Sequence, residues 1–272
     1  MLNLVIMLLS TMNGETLHSN NYRIAKYMLQ HIHELENVTI SELAKKCYVS
    51  NSSISRFCRD IGLNDYNDLR LQVAKYHVVQ RQVKEKFEYE TYNPKNVVGG
   101  FIDGVINNLY ALKSSLHEQA IQRLIEDIYK YENVAAFGYL QSQNVAYDLQ
   151  FDLQTSGKTI SSFIKYAEQI DYMKEADENH LIIIFSQSGS YFKRLERKNP
   201  FQHKLHKRKP KIYLITANQG IDLPYVDSYI RYASATDYTS TPYPLQIIAG
   251  LICHGYANYQ SKQDDGIHIG VY

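Results

Sequence analysis

Between Thr39 and Gly62 apolar residues recur at helical spacing twice, with a short polar turn between the two runs. Ile40, Leu43, Ala44 and Cys47 share one helical face, and Ile54, Phe57 and Cys58 share another. Thr39 and Glu42 form a T-x-x-E capping box that starts the first helix. Ser50 caps the second, and Gly62 supplies the left-handed residue that ends it. The pattern predicts two helices joined by a tight turn, the arrangement that puts one helix into the DNA major groove. The outward face of the second helix carries Asn51, Ser52, Ser53, Ser55, Arg56 and Arg59, groups able to hydrogen-bond base edges or phosphates. The plain alternative is an αα-hairpin with a polar outer face. Tyr48 stands where such turns usually carry Gly, so either the turn is reshaped or Tyr48 holds its place by packing.

Further helical patterns surround this pair. Leu2–Leu9 is apolar and reads as a helix buried against the DNA-binding helices or a partner subunit. Asn20–His33 places Ile24, Tyr27, Met28 and Ile32 on one face, and Tyr66–Phe87 carries the stripe Leu69, Val73, Tyr76 and Val79. The outer face of that last helix, with Arg70, Lys75, Arg81, Lys84 and Lys86, reads as a solvated surface before a phosphate contact. Glu88–Lys95 is polar, contains Pro94 and lacks periodicity, which marks a linker. Two helices are expected at Val97–Ser115 and His117–Tyr131. Short apolar runs then alternate with helical ones: Val134–Gly138, a helix from Gln141 to Thr155, Thr159–Phe163, a helix to Ala176, Leu181–Phe185, Ile212–Thr216, Tyr229–Ala233 and a helix from Pro244 to Tyr259. Alternation of this kind predicts a mostly parallel sheet covered on both faces. The expected organisation is an all-α helix-turn-helix domain over 1–87, a linker over 88–95 and an α/β domain over 96–272.

A length of 272 residues agrees with about two domains. The net charge of +1 provides no global basic field, so DNA binding has to come from local clusters. Cys47, Cys58 and Cys253 form no C-x-x-C pair and no disulfide framework, as suits a reducing cytosol. The N-terminal apolar run of roughly ten residues lacks a basic flank and is too short to span a bilayer, so no membrane association is expected. Within Lys193–Lys211, nine cations (Lys193, Arg194, Arg197, Lys198, Lys204, Lys207, Arg208, Lys209, Lys211) face only Glu196. That segment reads as a solvated face, as a contact for DNA or an acidic partner, or as a positive field around an anionic ligand.

Two strand ends carry candidate chemistry. Phe137–Asn144 has Gly138 for a tight exit and Ser142 near the next helix start. Ile182–Ser190 runs from an apolar strand directly into Ser186-Gln187-Ser188-Gly189-Ser190. Hydroxyls beside a Gly-permitted turn form either a phosphate cradle or an ordinary turn.

Taken with Asn20–His33, the Thr39–Gly62 stretch resembles the DNA-binding domain of the RpiR/MurR family of bacterial transcriptional regulators. SQSGS resembles the S-x-S-G signature of the SIS (sugar isomerase) domain that forms their C-terminal half. The resemblance implies a three-layer α/β/α SIS domain and a homodimer or homotetramer assembled through it. It also implies a double-stranded, palindromic DNA operator in a sugar-metabolism operon and a phosphosugar effector that changes operator affinity. On it, Ser142 falls on the Ser of the first SIS loop, and Ser186 and Ser188 on those of the second. Gln187, Gly189 and Ser190 offer backbone groups. The sequence departs from the family's G-x-G-x-S at Leu140, and Ser190, Tyr191 and Lys193 replace residues common after S-x-S-G; Tyr191 is bulky enough to fill the pocket. Neither a metal nor a cofactor is implied, and no catalytic residue. Two alternatives stay open: a SIS-type phosphosugar isomerase, with His254 as the general base, and a regulator whose SIS domain only dimerises.

Overall fold

Caps at both ends of short helices set the architecture of the N-terminal unit. The structure, a computed structural model, describes residues 4–87, 97–194, 209–235 and 242–268. These residues fall into two compact units. One takes those between Met1 and Tyr89 together with Phe163–Asp171, and the other those between Glu90 and Ser162 and between Tyr172 and Tyr272.

The first unit contains α1 (Leu4–Gly14), α2 (Asn20–Gln30), a 3₁₀ turn (Ile32–Asn37), α3 (Ile40–Lys46), α4 (Asn51–Asp60) and α5 (Tyr66–Phe87). Its core joins Leu4, Met7 and Leu8 of α1 to Ile24 and Met28 of α2, Leu43 and Ala44 of α3, Ile54, Phe57 and Cys58 of α4, and Leu69 and Val73 of α5. α1 runs past Leu9 to Gly14, Leu2 lies outside the described residues, and Leu4, Met7 and Leu8 join the helix-turn-helix core. α2 stops at Gln30, so Ile32 reaches the core from the 3₁₀ turn instead of from the helix. In the same unit the Ser10 hydroxyl donates to the Ile164 carbonyl at 3.0 Å, and Lys165 Nζ lies 3.1 Å from the Glu15 carboxylate.

The second unit contains α6 (Val97–Ser115), α7 (Glu118–Lys130), β1 (Asn133–Phe137), α8 (Gln141–Thr155), α9 (Tyr166–Glu175, from Tyr172 onward), β2 (His180–Phe185), a 3₁₀ turn (Ser190–Arg194), β3 (Lys211–Thr216), β4 (Ser228–Arg231) and α10 (Tyr243–His268). The four strands pair in parallel in the order β1-β2-β3-β4. Strand interiors are buried without alternation, as a sheet covered on both faces requires. Val134, Ala136, Ile183, Phe185 and Ile215 pack with α7, α8 and α10 on one side. On the other, Phe137 meets Tyr172 edge-on at 5.6 Å and Phe192 meets Tyr225 at 5.0 Å. The result is a three-layer α/β/α domain.

Thr159–Phe163 does not form the strand its apolar run predicts. It makes one parallel bridge, between Ser161 and Ala135 on the free edge of β1. Ser162 then turns back, its hydroxyl donating to the Ala136 carbonyl at 2.8 Å, which takes the segment out of the ladder. The helix expected to stop at Tyr259 continues to His268. The linker expectation at Glu88–Lys95 lies outside the described residues. So do Glu196, Arg197, Lys198, Lys204, Lys207 and Arg208 of the basic segment and the side chains of Lys193 and Arg194. The remaining two cations are internally paired: Lys209 with Asp227 at 2.7 Å, and Lys211 with Asp127 at 2.6 Å. Asp127 also accepts from the Tyr213 hydroxyl at 2.6 Å, tying α7 to β3. Among the described residues no helix is long and apolar enough to cross a membrane.

Burial pushes all three thiols up, Cys47 to about 11 and Cys58 and Cys253 to about 12. At pH 8 the reactive thiolate is then about a thousandth or less of each. A maleimide or iodoacetamide titration at pH 8 is expected to label none of the three quickly in native protein and all three in denaturant. Rapid labelling of Cys58 in the native state would show that the α4 core is open.

Candidate functional site

The helix-turn-helix is held by the same device twice. α3 ends with Val49 N–H donating to the Ala44 carbonyl at 2.9 Å and Tyr48 N–H to that of Lys45 at 3.1 Å. α4 ends with Leu63 N–H on the Cys58 carbonyl at 2.7 Å and Gly62 N–H on that of Arg59 at 2.9 Å. Both are Schellman closures, which require a left-handed residue just past the helix. At Gly62 that residue is glycine, with φ 85°; at the turn it is Tyr48, with φ 56°. The turn is therefore not reshaped. Nor does Tyr48 hold its place by packing, since it is 85% exposed.

At the other helix ends, Thr39 Oγ1 accepts from Glu42 N–H while Glu42 Oε2 accepts from Thr39 N–H at 2.8 Å, completing the capping box. That backbone donor, with the Thr39 hydroxyl, holds the Glu42 carboxyl below its ordinary range. The reciprocal cap thus persists at neutral pH and is lost as pH falls through the lowered value. Ser50 Oγ accepts from Ser53 N–H at 3.1 Å and starts α4. Tyr66 donates its hydroxyl to the Val38 carbonyl at 2.7 Å, and burial pushes that phenol to about 12, so it remains a donor.

Of the six candidate DNA-contacting residues, Asn51, Ser52, Arg56 and Arg59 are exposed, whereas Ser53 and Ser55 are half-buried. Asn51 Nδ2 donates to Ser41 Oγ at 3.0 Å, linking α4 to α3. The Ser53 hydroxyl lies 3.0 Å from Ser50 Oγ and belongs to the cap. Ser52, Arg56 and Arg59 are the side chains best placed to reach outward.

In the second unit the two candidate loops leave neighbouring strand ends. The chain runs from β1 to Ser161 on one side and to β2 on the other, so strand order reverses between β1 and β2. The loop after β1 and the loop after β2 border that switch point, the position at which open α/β sheets bind ligands. A Cβ on Gly138 would stand 2.6 Å from the Ser142 backbone, so the loop closes only around glycine. Gly138 N–H donates to Gln143 Oε1 at 3.0 Å, and Gln143 Nε2 donates to Ser162 Oγ at 2.7 Å. Leu140 takes φ 44° and ψ −110°, a conformation suited to glycine. The backbone of this loop thus keeps a glycine-like path although leucine occupies it.

The second loop is tightly committed. Ser186 is buried and its hydroxyl accepts from Tyr191 N–H at 3.3 Å. The Gln187 carbonyl accepts from Ala217 N–H and from the Thr216 hydroxyl, and Gly189 turns with φ 69°. Ser188 and Ser190 hold their hydroxyls 2.7 Å apart, and Ser188 is exposed. Tyr191 is wholly buried and lies 5.0 Å from the Tyr139 ring, so its bulk occupies space beside both loops. Gln143, Ser162 and Tyr139 were not identifiable from the sequence, because a single Gln, Ser or Tyr in a turn carries no pattern. His254 is exposed on α10, with Nε2 3.0 Å from Asn258 Nδ2.

Residues 6–79 match the family model described as "Helix-turn-helix domain, rpiR family". That match lies within the N-terminal unit and takes in both helices of the helix-turn-helix. The curated relatives of this chain are named as regulators. The HTH-type transcriptional regulator HexR of Pseudomonas aeruginosa is 22% identical over 175 residues, 64% of this chain and 61% of that protein. GlvR of Bacillus subtilis is 40% identical over 55 residues, 20% of this chain and 22% of that protein. The match thus spans less than two thirds of these relatives' lengths. Among solved structures, the Vibrio vulnificus NanR protein complexed with ManNAc-6P aligns with a TM-score of 0.49 at 16% identity, over 98% of this chain and 96% of that one. The sugar isomerase domain of an RpiR transcription factor from Sphaerobacter thermophilus aligns with a TM-score of 0.48 at 17% identity, over 65% and 98%.

The loop geometry makes a paired prediction. Gly138→Ala is expected to destabilise the α/β unit by about 1–3 kcal/mol through overpacking. Leu140→Gly is expected to be neutral or stabilising by up to about 1 kcal/mol, because relieved strain offsets the greater freedom of the unfolded chain. Urea melts of the two variants check both signs; equal destabilisation would contradict the strained assignment of Leu140.

Proposed function

We propose that this chain is a DNA-binding transcriptional regulator of sugar metabolism, acting in the cytoplasm, whose operator affinity responds to a phosphosugar at the β1/β2 switch point. One observation carries the reading. α4 buries Ile54, Phe57 and Cys58 completely while its N-terminal turn and its Arg56 and Arg59 side chains face outward. A helix so anchored and so decorated is a recognition helix. The rpiR-family match and the regulator names of the curated relatives support it.

The SIS-type assignment of the second unit rests on the S-x-S-G loop and the strand order. With Ser186 committed to Tyr191, the hydroxyls of exposed Ser188 and half-buried Ser190, with Ser142 of the neighbouring loop, are the groups that meet an anion. Gln187 and Gly189 shape the turn.

The same unit also exposes an apolar surface. Val98, Ile102, Ile106 and Tyr110 of α6 are all exposed, as are Ile247 and Leu251 of α10. Covering that surface with a second copy gives a homodimer, and a two-fold dimer reads a palindromic operator.

The test is a gel-shift titration against DNA upstream of the protein's own gene, with and without a panel of hexose and amino-sugar phosphates. Binding is expected to shift by about 5–150-fold with one of them, the span of a typical coupling free energy. Indifference to every phosphosugar removes the effector half and leaves a regulator whose second unit only dimerises. Absence of any sequence-specific complex sinks the regulator itself. In the same assay Arg56→Ala is expected to lose about 1–3 kcal/mol of specific binding while leaving non-specific binding far less affected.

A further inference from the structure

Among the described residues only two non-glycine positions adopt positive φ, Tyr48 and Leu140, one in each candidate site. Tyr48 is the costlier choice on its face. A left-handed L-residue is strained by roughly 1–2 kcal/mol, and glycine would satisfy the α3 closure without that strain. Such a residue normally persists because its side chain is useful inside the fold. Here it is not: at 85% exposure it is the most exposed large apolar or aromatic side chain described, and no hydrogen bond or ring contact of its side chain is found among the described residues. Nothing described in the folded unit compensates for the strain, and a contact outside the unit would.

Its surroundings say where. Tyr48 stands two residues before Ser50, the cap of α4, and follows Lys45 and Lys46, both exposed in the last turn of α3. The N-terminal turn of a recognition helix is the part that enters the major groove, so the residues just before it border the phosphates of the groove wall. Tyrosine hydroxyls are among the groups that fix a protein's register on phosphate oxygens. We propose that Tyr48 is a DNA-backbone contact: its phenolic hydroxyl donates to a phosphate at the edge of the groove that α4 enters, with Lys45 and Lys46 supplying charge beside it. The inference rests on the DNA-binding reading above and adds a contact residue to it.

A neutral donor leaves a signature that a cation does not. Removing it weakens binding to all sequences alike but releases no counterion, so the dependence of affinity on salt keeps its slope. The experiment uses the full-length protein and a duplex enriched from a random library by that protein, alongside a scrambled duplex. Tyr48→Phe and Tyr48→Gly are compared with Lys45→Ala over a range of salt, with thermal melts of each.

Tyr48→Phe is expected to lose about tenfold to a hundredfold in affinity for both duplexes with an unchanged salt slope, as for one hydrogen bond to a charged group. Tyr48→Gly is expected to bind at least as weakly while melting about 2–4 °C higher. Lys45→Ala is expected to flatten the slope by about one. Tyr48→Gly binding as tightly as wild type overturns the proposal, and so does a fall in its melting temperature, which would assign Tyr48 to the fold. Tyr48→Phe matching wild type overturns the hydroxyl contact. A wild-type protein that enriches no duplex defeats the DNA-binding reading itself, a result separate from any of these.

Discussion

The contact on which the helix-turn-helix unit depends is the burial of Ile54, Phe57 and Cys58 against α2, α3 and α5. All three are fully removed from solvent. A ten-residue helix is too short to be stable alone, so its orientation comes from that packed stripe and its length from its caps. Burying the stripe fixes which residues look out, since positions on a helix are related by its period. The outward display of Ser52, Arg56 and Arg59 is thus a consequence of core packing. The Ser50 cap and the Leu63–Cys58 closure then set where the polar face begins and stops.

The second unit obeys a different constraint. A parallel sheet covered on both faces has no free surface, and its unoccupied backbone groups lie at the carboxyl ends of the strands. Here the chain diverges between β1 and β2, so the loops at 138–142 and 186–190 leave neighbouring strand ends. Gln143 and Ser162 couple the first loop to the β1 edge through hydrogen bonds at Gly138 and Ala136. A ligand that displaced this loop would have to move the Ser162 anchor as well. Tyr191 and Tyr139, with ring centroids 5.0 Å apart, pack beside both loops.

Much of this was legible in residue order, for reasons specific to each element. The capping box and the Ile54/Phe57/Cys58 stripe state a helix-turn-helix because local hydrogen bonds and helical period are both written in nearby residues. β1, β2 and β3 stand out as apolar runs because a doubly covered sheet leaves no polar alternation, whereas β4 (Ser228–Arg231) is half-buried and starts a residue before the expected Tyr229–Ala233 and stops at Arg231. Thr159–Phe163 misled for the same reason: an apolar run reports burial, and Ser162 turning back onto Ala136 is a long-range event with no local mark. Helical spacing places Ile32 on the buried face of an Asn20–His33 helix, and a 3₁₀ turn delivers the same side chain to the same core. Leu140 and Tyr191 were conspicuous as departures from a pattern, but only coordinates show that Leu140 keeps the glycine conformation and that Tyr191 is buried.

Strain at Tyr48 and Leu140 has to be weighed against the total. A domain is stable by about 5–15 kcal/mol, so two residues at roughly 1–3 kcal/mol each consume a noticeable share. Neither position is forced by topology, because glycine fits both paths. Leu140 differs from Tyr48 in being half-buried, so part of its cost is returned by contact, whereas Tyr48 regains nothing within its own unit. Random drift of residues in marginally stable proteins tolerates such costs at one site or another. That both fall at turns bordering a candidate site, and none among the remaining described turns, is the distribution expected when strain is retained where the chain meets something else.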